Sequence, residues 1–234
     1  MTYKAVVFDL YGTLVDNFSL RAHEAVLREM AAIVGAPADE FVRLWFESYE
    51  ERATGVIASP EANVELICRK LGVLADESTV KEAAKVRYEF TRRGLRPWPE
   101  AVPVLSRLKT LGYKLALISD CSAETPASWE HTPIAALMDV SVFSCVVGLK
   151  KPDPRIFVQA AEQLDVKPQE CLYVGDGSSQ ELSGAAAVGM HPVMIRAPGE
   201  ASDAHRIHEE EWKGPKISLL TEVLELVSGE GASV

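Results

Sequence analysis

Four residues of this sequence pair a reactive group with a telling place in the chain. Asp9 ends the strand read in the apolar run Ala5–Leu10, and Ser119 closes the run Lys114–Ser119. Lys151 precedes a helical stretch, and Asp176 follows the run Cys171–Gly175. Two carboxylates, a hydroxyl and a lysine gathered on one rim suit a divalent cation and a phosphate. Mg2+ takes a few oxygen ligands together with substrate phosphate oxygens. Lysine is a point-charge partner for phosphate, and main-chain N–H groups at helix starts bind anions. Singly, each residue has a plainer use: an Asp at a strand end caps a helix, Gly175-Asp176-Gly177 makes a turn, and a lysine is solvated. Their joint order is what carries the chemistry.

The elements that must position them follow from the pattern of apolar residues. The runs Ala5–Leu10, Lys114–Ser119, Val142–Val147, Cys171–Gly175 and Pro192–Ile195 read as buried strands. Helical spacing fills the intervals. Ala101–Leu111 runs into Gly112, Ile156–Leu164 follows Asp153-Pro154, and Glu181–Val188 ends at Gly189. Alternating strands and helices predict an α/β fold, a doubly wound parallel sheet. Ligands bind such sheets at the carboxyl ends of the strands, where these residues stand. The stretch 16–96 holds no strand pattern. Arg21–Val34, Asp39–Ala53, Glu61–Leu71 and Ser78–Arg93 all have helical spacing, punctuated by Gly35, Gly55, Gly72 and Gly94. An all-helical module over 16–96 is thus expected to interrupt a core made of 1–15 and 97–234, with a cleft between them. A last helix is expected over Ile217–Val227.

Composition narrows the function. The 234 residues are 47% hydrophobic and 25% charged, which excludes a disordered tail or a collagen-like rod. The formal charge of −10 opposes non-specific binding to nucleic acid. Cys68, Cys121, Cys145 and Cys171 are dispersed, with no CxxC pair, and read as reduced thiols. The apolar run before Asp9 is too short for a signal-peptide core. No run approaches the roughly 18 residues that span a bilayer. A cytoplasmic protein without a membrane partner, monomeric or homodimeric, is the expectation.

Four motifs in order resemble the haloacid dehalogenase superfamily. FDLYGTLVD is similar to its first motif, DxxGT, and LISDCS stands where the second places a Ser or Thr after a strand. GLKKPDPRIF is similar to the third, and VGDGSSQELSGAAAVGM to the fourth, a Gly-Asp pair followed by an acid. The helical insertion resembles the family's cap, and the resemblance covers nearly the whole chain. It implies a Rossmann-like core and a hydrolase. Asp9 would be the nucleophile, forming an aspartyl-phosphate. Asp9, Asp176 and the main-chain carbonyl of Tyr11 would hold Mg2+, with Glu181 orienting bound water behind them. Thr13 and Ser119 would donate hydrogen bonds to Asp9 or phosphate, and Lys151 would be the motif lysine, Lys150 being solvated.

One position departs from the family's phosphatases, which carry Asp two residues after the nucleophile as the leaving group's proton donor. Here it is Tyr11. An unperturbed tyrosine titrates near 10, against about 4 for Asp. Tyr at this position is a trait of the family's metal-independent 2-haloacid dehalogenases, which act through an aspartyl ester. Those enzymes carry small polar residues in place of the fourth motif's metal carboxylate, whereas Asp176 and Glu181 are present here. Without a metal, a second carboxylate beside Asp9 would repel it. The reading is therefore a Mg2+-dependent hydrolase of a small phosphorylated metabolite, with the dehalogenase and a non-catalytic binding protein as alternatives. Trp45, Phe46 and Tyr49 read as packing within the cap, and Arg43 and Arg52 as a solvated helix face.

Overall fold

The computed structural model describes residues 3–196, 206 and 208–229. Residues 199–205 and 207 of the polar stretch near the C-terminus, His205 among them, lie outside the described residues. Six strands form one parallel sheet: β1 (Ala5–Phe8), β2 (Lys114–Ser119), β3 (Val140–Phe143), β4 (Cys171–Gly175), β5 (His191–Ile195) and β6 (Lys216–Ile217). Their order is β3-β2-β1-β4-β5-β6. The direction of winding reverses between β1 and β4, so the crevice of a doubly wound sheet opens at the carboxyl ends of those two strands.

β1 shows why this sheet is buried on both faces. Successive side chains of a strand point to opposite faces. Val6 and Phe8 join one apolar cluster with α6 (Ala101–Thr110) and α11 (Glu222–Ser228). Ala5 and Val7 join a second cluster with α9 (Pro154–Gln163) and α10 (Glu181–Ala187). All four β1 side chains are fully buried. Burying a side chain such as Val or Phe contributes roughly 1.5–3 kcal/mol.

Between β1 and α6 lie only helices: α1 (Leu20–Val34), α2 (Ala38–Glu47), α3 (Tyr49–Ala53), α4 (Pro60–Leu71) and α5 (Glu77–Gly94). Their inward stripes form a third cluster around Leu27, Met30, Phe41, Trp45, Val64 and Ile67. Caps set their limits. Ser59 Oγ accepts from Ala62 N at 3.1 Å with Pro60 in the first turn, and Gly72 closes the same helix at φ +68°. The two chain crossings into this module pair with each other: Val15 bridges to Pro97, and Trp98 N donates to Leu14 O at 2.9 Å.

The structure corrects four local expectations. The run Val142–Val147 is a strand only to Phe143; Ser144–Val147 is a short helix, α8, which Gly148 N closes onto Ser144 O at 2.9 Å. The helix expected over Asp39–Ala53 breaks at Ser48, because Ser48 Oγ and Arg52 Nη2 both donate to Trp45 O. The last helix starts at Glu222 rather than Ile217, which belongs to β6. A further helix, α7 (Glu124–Trp129), has no counterpart in the sequence reading.

Candidate active site

Asp9 extends β1 by one residue: its N–H donates to Val174 O at 2.9 Å, which leaves its carboxylate at the crevice between β1 and β4. The chain then folds back on itself, with Leu14 N and Val15 N both donating to Leu10 O. Gly12 makes this turn at φ +77°. A Cβ on it would lie 2.6 Å from Asp176 Oδ2 and 2.4 Å from Asn17 Nδ2, so only glycine lets this loop lie against the Asp176 carboxylate. Thr13 Oγ1 donates to Asp9 Oδ2 at 3.1 Å.

Lys151 is the hub of the buried side. Its ammonium donates to Asp9 Oδ1 at 2.6 Å and to Glu181 Oε2 at 2.5 Å. Its main-chain N–H is fixed by Asp120 Oδ1 at 3.0 Å. Glu181, in the first turn of α10, also accepts from Tyr173 OH at 2.8 Å and from Gly177 N at 2.9 Å. Asp176 accepts from Ser178 N and Asn17 Nδ2, both at 2.9 Å, and from Arg206 Nε at 3.0 Å.

Charge is the tension in this arrangement. Burial pushes the Asp9 carboxyl up to about 6; Lys151 opposes that shift and Asp176 adds to it. Glu181 is raised well above the usual carboxylate range, by burial first and then by Asp9. Burial alone would lower Lys151, but Asp9 and Glu181 outweigh it and hold the ammonium charged. Carboxylate oxygens of Asp9, Asp176 and Glu181 lie within 4.8 Å of one another. Lys151 and Arg206 bring two positive charges to these three acids. Hard oxygen donors with surplus negative charge are the chemistry that a divalent cation such as Mg2+ requires. In each of the three, both oxygens already accept hydrogen bonds from the protein.

Above this floor lies a cleft of about 680 Å³. The core lines it with Asp9, Tyr11, Asp120 and Lys151, and the helical module adds Phe18, His23, Tyr49, Arg52 and Arg87. The family model of haloacid dehalogenase-like hydrolases matches residues 3–189. The chain is a haloacid dehalogenase-like hydrolase. It is 30% identical over 230 residues to a glyceraldehyde 3-phosphate phosphatase of Methanopyrus kandleri, covering 96% of this chain and 97% of that one. It is also 30% identical over 208 residues to (S)-2-haloacid dehalogenase 4A of Burkholderia cepacia, covering 84% of each. Among solved structures, the 2-haloacid dehalogenase of Pseudomonas syringae pv. Tomato DC3000 superposes with a TM-score of 0.73 at 23% identity, covering 98% of this chain and all of that one, a likeness of fold.

In this haloacid dehalogenase-like hydrolase, Asp9, Thr13, Lys151, Asp176 and Glu181 form one connected group. Two expected side chains stand apart from it. Tyr11 shares a hydrogen bond with Thr125 Oγ1 at 3.0 Å and packs on Phe18 with ring centroids 4.7 Å apart. Burial pushes its phenol further above the ordinary tyrosine range. Ser119 Oγ is buried at the end of β2, with no hydrogen-bond partner among the described residues. Two plainer expectations are corrected. Arg52 is buried against Trp45, not solvated. Lys150 reaches Glu50 at 3.1 Å and so ties the core to the module. The sequence reading missed Asn17, Arg87, Tyr173 and Arg206. Arg87 had one available signal: it shares a helical stripe with Val80, Ala83, Ala84 and Thr91, where a cation is out of place.

Proposed function

We propose that this hydrolase is a Mg2+-dependent phosphatase of a small phosphorylated metabolite, working through an aspartyl-phosphate on Asp9. In this reading residues 16–96 are the cap over a core of 1–15 and 97–234. The observation that carries it is the acid pair, Asp176 beside Asp9 at the mouth of β1 and β4, with Glu181 behind. A dehalogenase that works without metal has no use for that clustering of buried negative charge. The relative named as a glyceraldehyde 3-phosphate phosphatase supports the same reading.

Asp9 and Asp176 would hold the cation with the main-chain carbonyl of Tyr11, Glu181 standing behind them. When bound, Mg2+ supplies a Lewis acid toward the phosphoryl oxygens. Asp9 is the nucleophile; Thr13 steadies one of its oxygens while Lys151 neutralises the other. Lys151 remains charged in the pocket, able to attract the phosphoryl group. Glu181 keeps Lys151 in place rather than touching the reacting atoms. Tyr11, with a raised pKa and its hydroxyl held by Thr125, is a poor proton donor to a leaving alcohol. Substrates with leaving groups that depart with little help are therefore favoured.

Tyr11 and the relative named (S)-2-haloacid dehalogenase favour a second reading, halide displacement from a 2-haloacid. One assay separates the two. Hydrolysis of p-nitrophenyl phosphate is expected with millimolar Mg2+ and is expected to vanish with EDTA. Halide release from 2-chloropropionate that is indifferent to EDTA would overturn the phosphatase reading.

A further inference from the structure

We propose that Arg52 and Arg87 form a carboxylate-binding subsite in the wall of the cleft, so that the substrate is a phosphate monoester whose alcohol also bears a carboxylate. This rests on the phosphatase reading and extends it to a substrate class.

Both arginines belong to the helical module, line the same cleft as Asp9 and Lys151, and are only 4% exposed. Arg52 lies 4.6 Å over the ring of Trp45 and donates through Nη2 to Trp45 O. Arg87 lies among three rings, 5.5 Å from Phe18, 5.8 Å from Trp45 and 5.4 Å from Phe90. Aromatic rings take the face of a guanidinium, which leaves its N–H groups to bond in their own plane. Yet Arg87 Nε and Nη1 have no hydrogen-bond partner among the described residues. Glu124 on α7 approaches, with Oε1 3.4 Å from Nε, but that oxygen too is without a hydrogen bond.

The cluster therefore sets two guanidiniums against one carboxylate, nearly all of it out of water. Burial pulls Arg52 down to about 10; Glu124 opposes this and Arg87 adds to it. Unused donors on a buried cation are costly to the fold. An incoming planar anion that accepts in the plane of the guanidinium supplies what is missing, and a carboxylate matches that fork geometry. The link to the reacting end is short. Tyr49 carries Arg52 on its ring at 5.9 Å and Lys150, the neighbour of Lys151, also at 5.9 Å. A cleft of about 680 Å³ is in the range of small-molecule sites.

The test compares 2-phosphoglycolate with 2-hydroxyethyl phosphate, which share the phosphate and the two-carbon frame and differ in the distal group. With the full chain and Mg2+, kcat/KM is expected to favour the carboxylate by about 10- to 10²-fold, the worth of a charge-assisted contact. Arg87→Met and Arg52→Met are each expected to bring the ratio toward one. Glu124→Gln, which removes the competing acid, is expected to raise it. If the arginines only latch the module to α7, the Glu124 variant loses thermal stability and the ratio stays where it was. Equal kcat/KM for the two esters in the unaltered protein overturns the subsite. If no phosphate ester is hydrolysed at all, the phosphatase reading falls, and calorimetry with malonate decides the subsite alone. Binding that is lost in Arg52→Met sustains it, and no binding overturns it.

Discussion

Lys151 and Arg87 are both buried cations on the same cleft, one from the sheet and one from the helices, and they are handled differently. Lys151 has two carboxylates on its ammonium and a third, Asp120, on its main chain. Arg87 has rings around it and one acid that falls short of a hydrogen bond. The sheet end is finished before any ligand arrives, as catalysis by preorganised charge requires. The helical end is left with unmet donors, as recognition of a variable group allows. In the proposed reading, chemistry and selectivity are thus divided between two parts of the chain that pack their own cores.

The largest expected effect falls on the sheet end. Asp9→Asn keeps the shape and removes the nucleophile, and is expected to lower turnover by about 10⁴-fold or more, as loss of a covalent nucleophile does elsewhere. Circular dichroism should show the fold intact. Retained phosphatase activity would move the chemistry to another residue and dissolve the contrast drawn above.

Next is Lys151→Met. It leaves Asp9 and Glu181 facing each other without their cation, and loss of one partner of a buried pair costs about 3–5 kcal/mol. Urea unfolding monitored by fluorescence reads this directly. A loss below about 1 kcal/mol would mean that water already shares the site. The metal should act on the same charges: Mg2+ at about 100 times its dissociation constant is expected to stabilise the native state by about 2.7 kcal/mol, seen as a rise in melting temperature that Asp176→Ala abolishes.

The smallest effect is expected on the outer face of the helices. Arg43 Nη1 lies 2.6 Å from Glu47 Oε1, an ion pair as short as that of Lys151 with Asp9, but both side chains are exposed. Arg43→Ala is expected to cost only about 0.3–0.5 kcal/mol. Equal costs for the two pairs would show that distance, not burial, governs ion-pair strength in this fold.

The sheet end was far more legible in the sequence than the helical end. Asp9, Lys151 and Asp176 each sit where an apolar run stops or just before a helix, and the resemblance of the fourth motif adds Glu181. The three-dimensional role of Glu181 was not legible, because its partners Tyr173 and Lys151 are brought to it by the pleat and by the start of α9. Arg87 is one of several cations on a long helix, and only its place on a buried stripe distinguishes it. Glu124 belongs to a helix of six residues, too short to show a period. The run through Val147 failed for a related reason: composition marks it as buried, but the turn begun at Ser144 depends on its contact with Cys121.

The strand order also has a consequence for assembly. Ala5 of β1 pairs with Lys114 on one side and Cys171 on the other. Every helix of the module lies between the first strand and its first partner, and neighbours such as α1 and α2 meet across short connections. Local contacts form faster than distant ones. The helices are therefore able to collapse while Val6, Val7 and Phe8 still lack both flanking strands. The N–H of Asp9 bonds to Val174 O, so the proposed nucleophile reaches its final place only after β4 has been made.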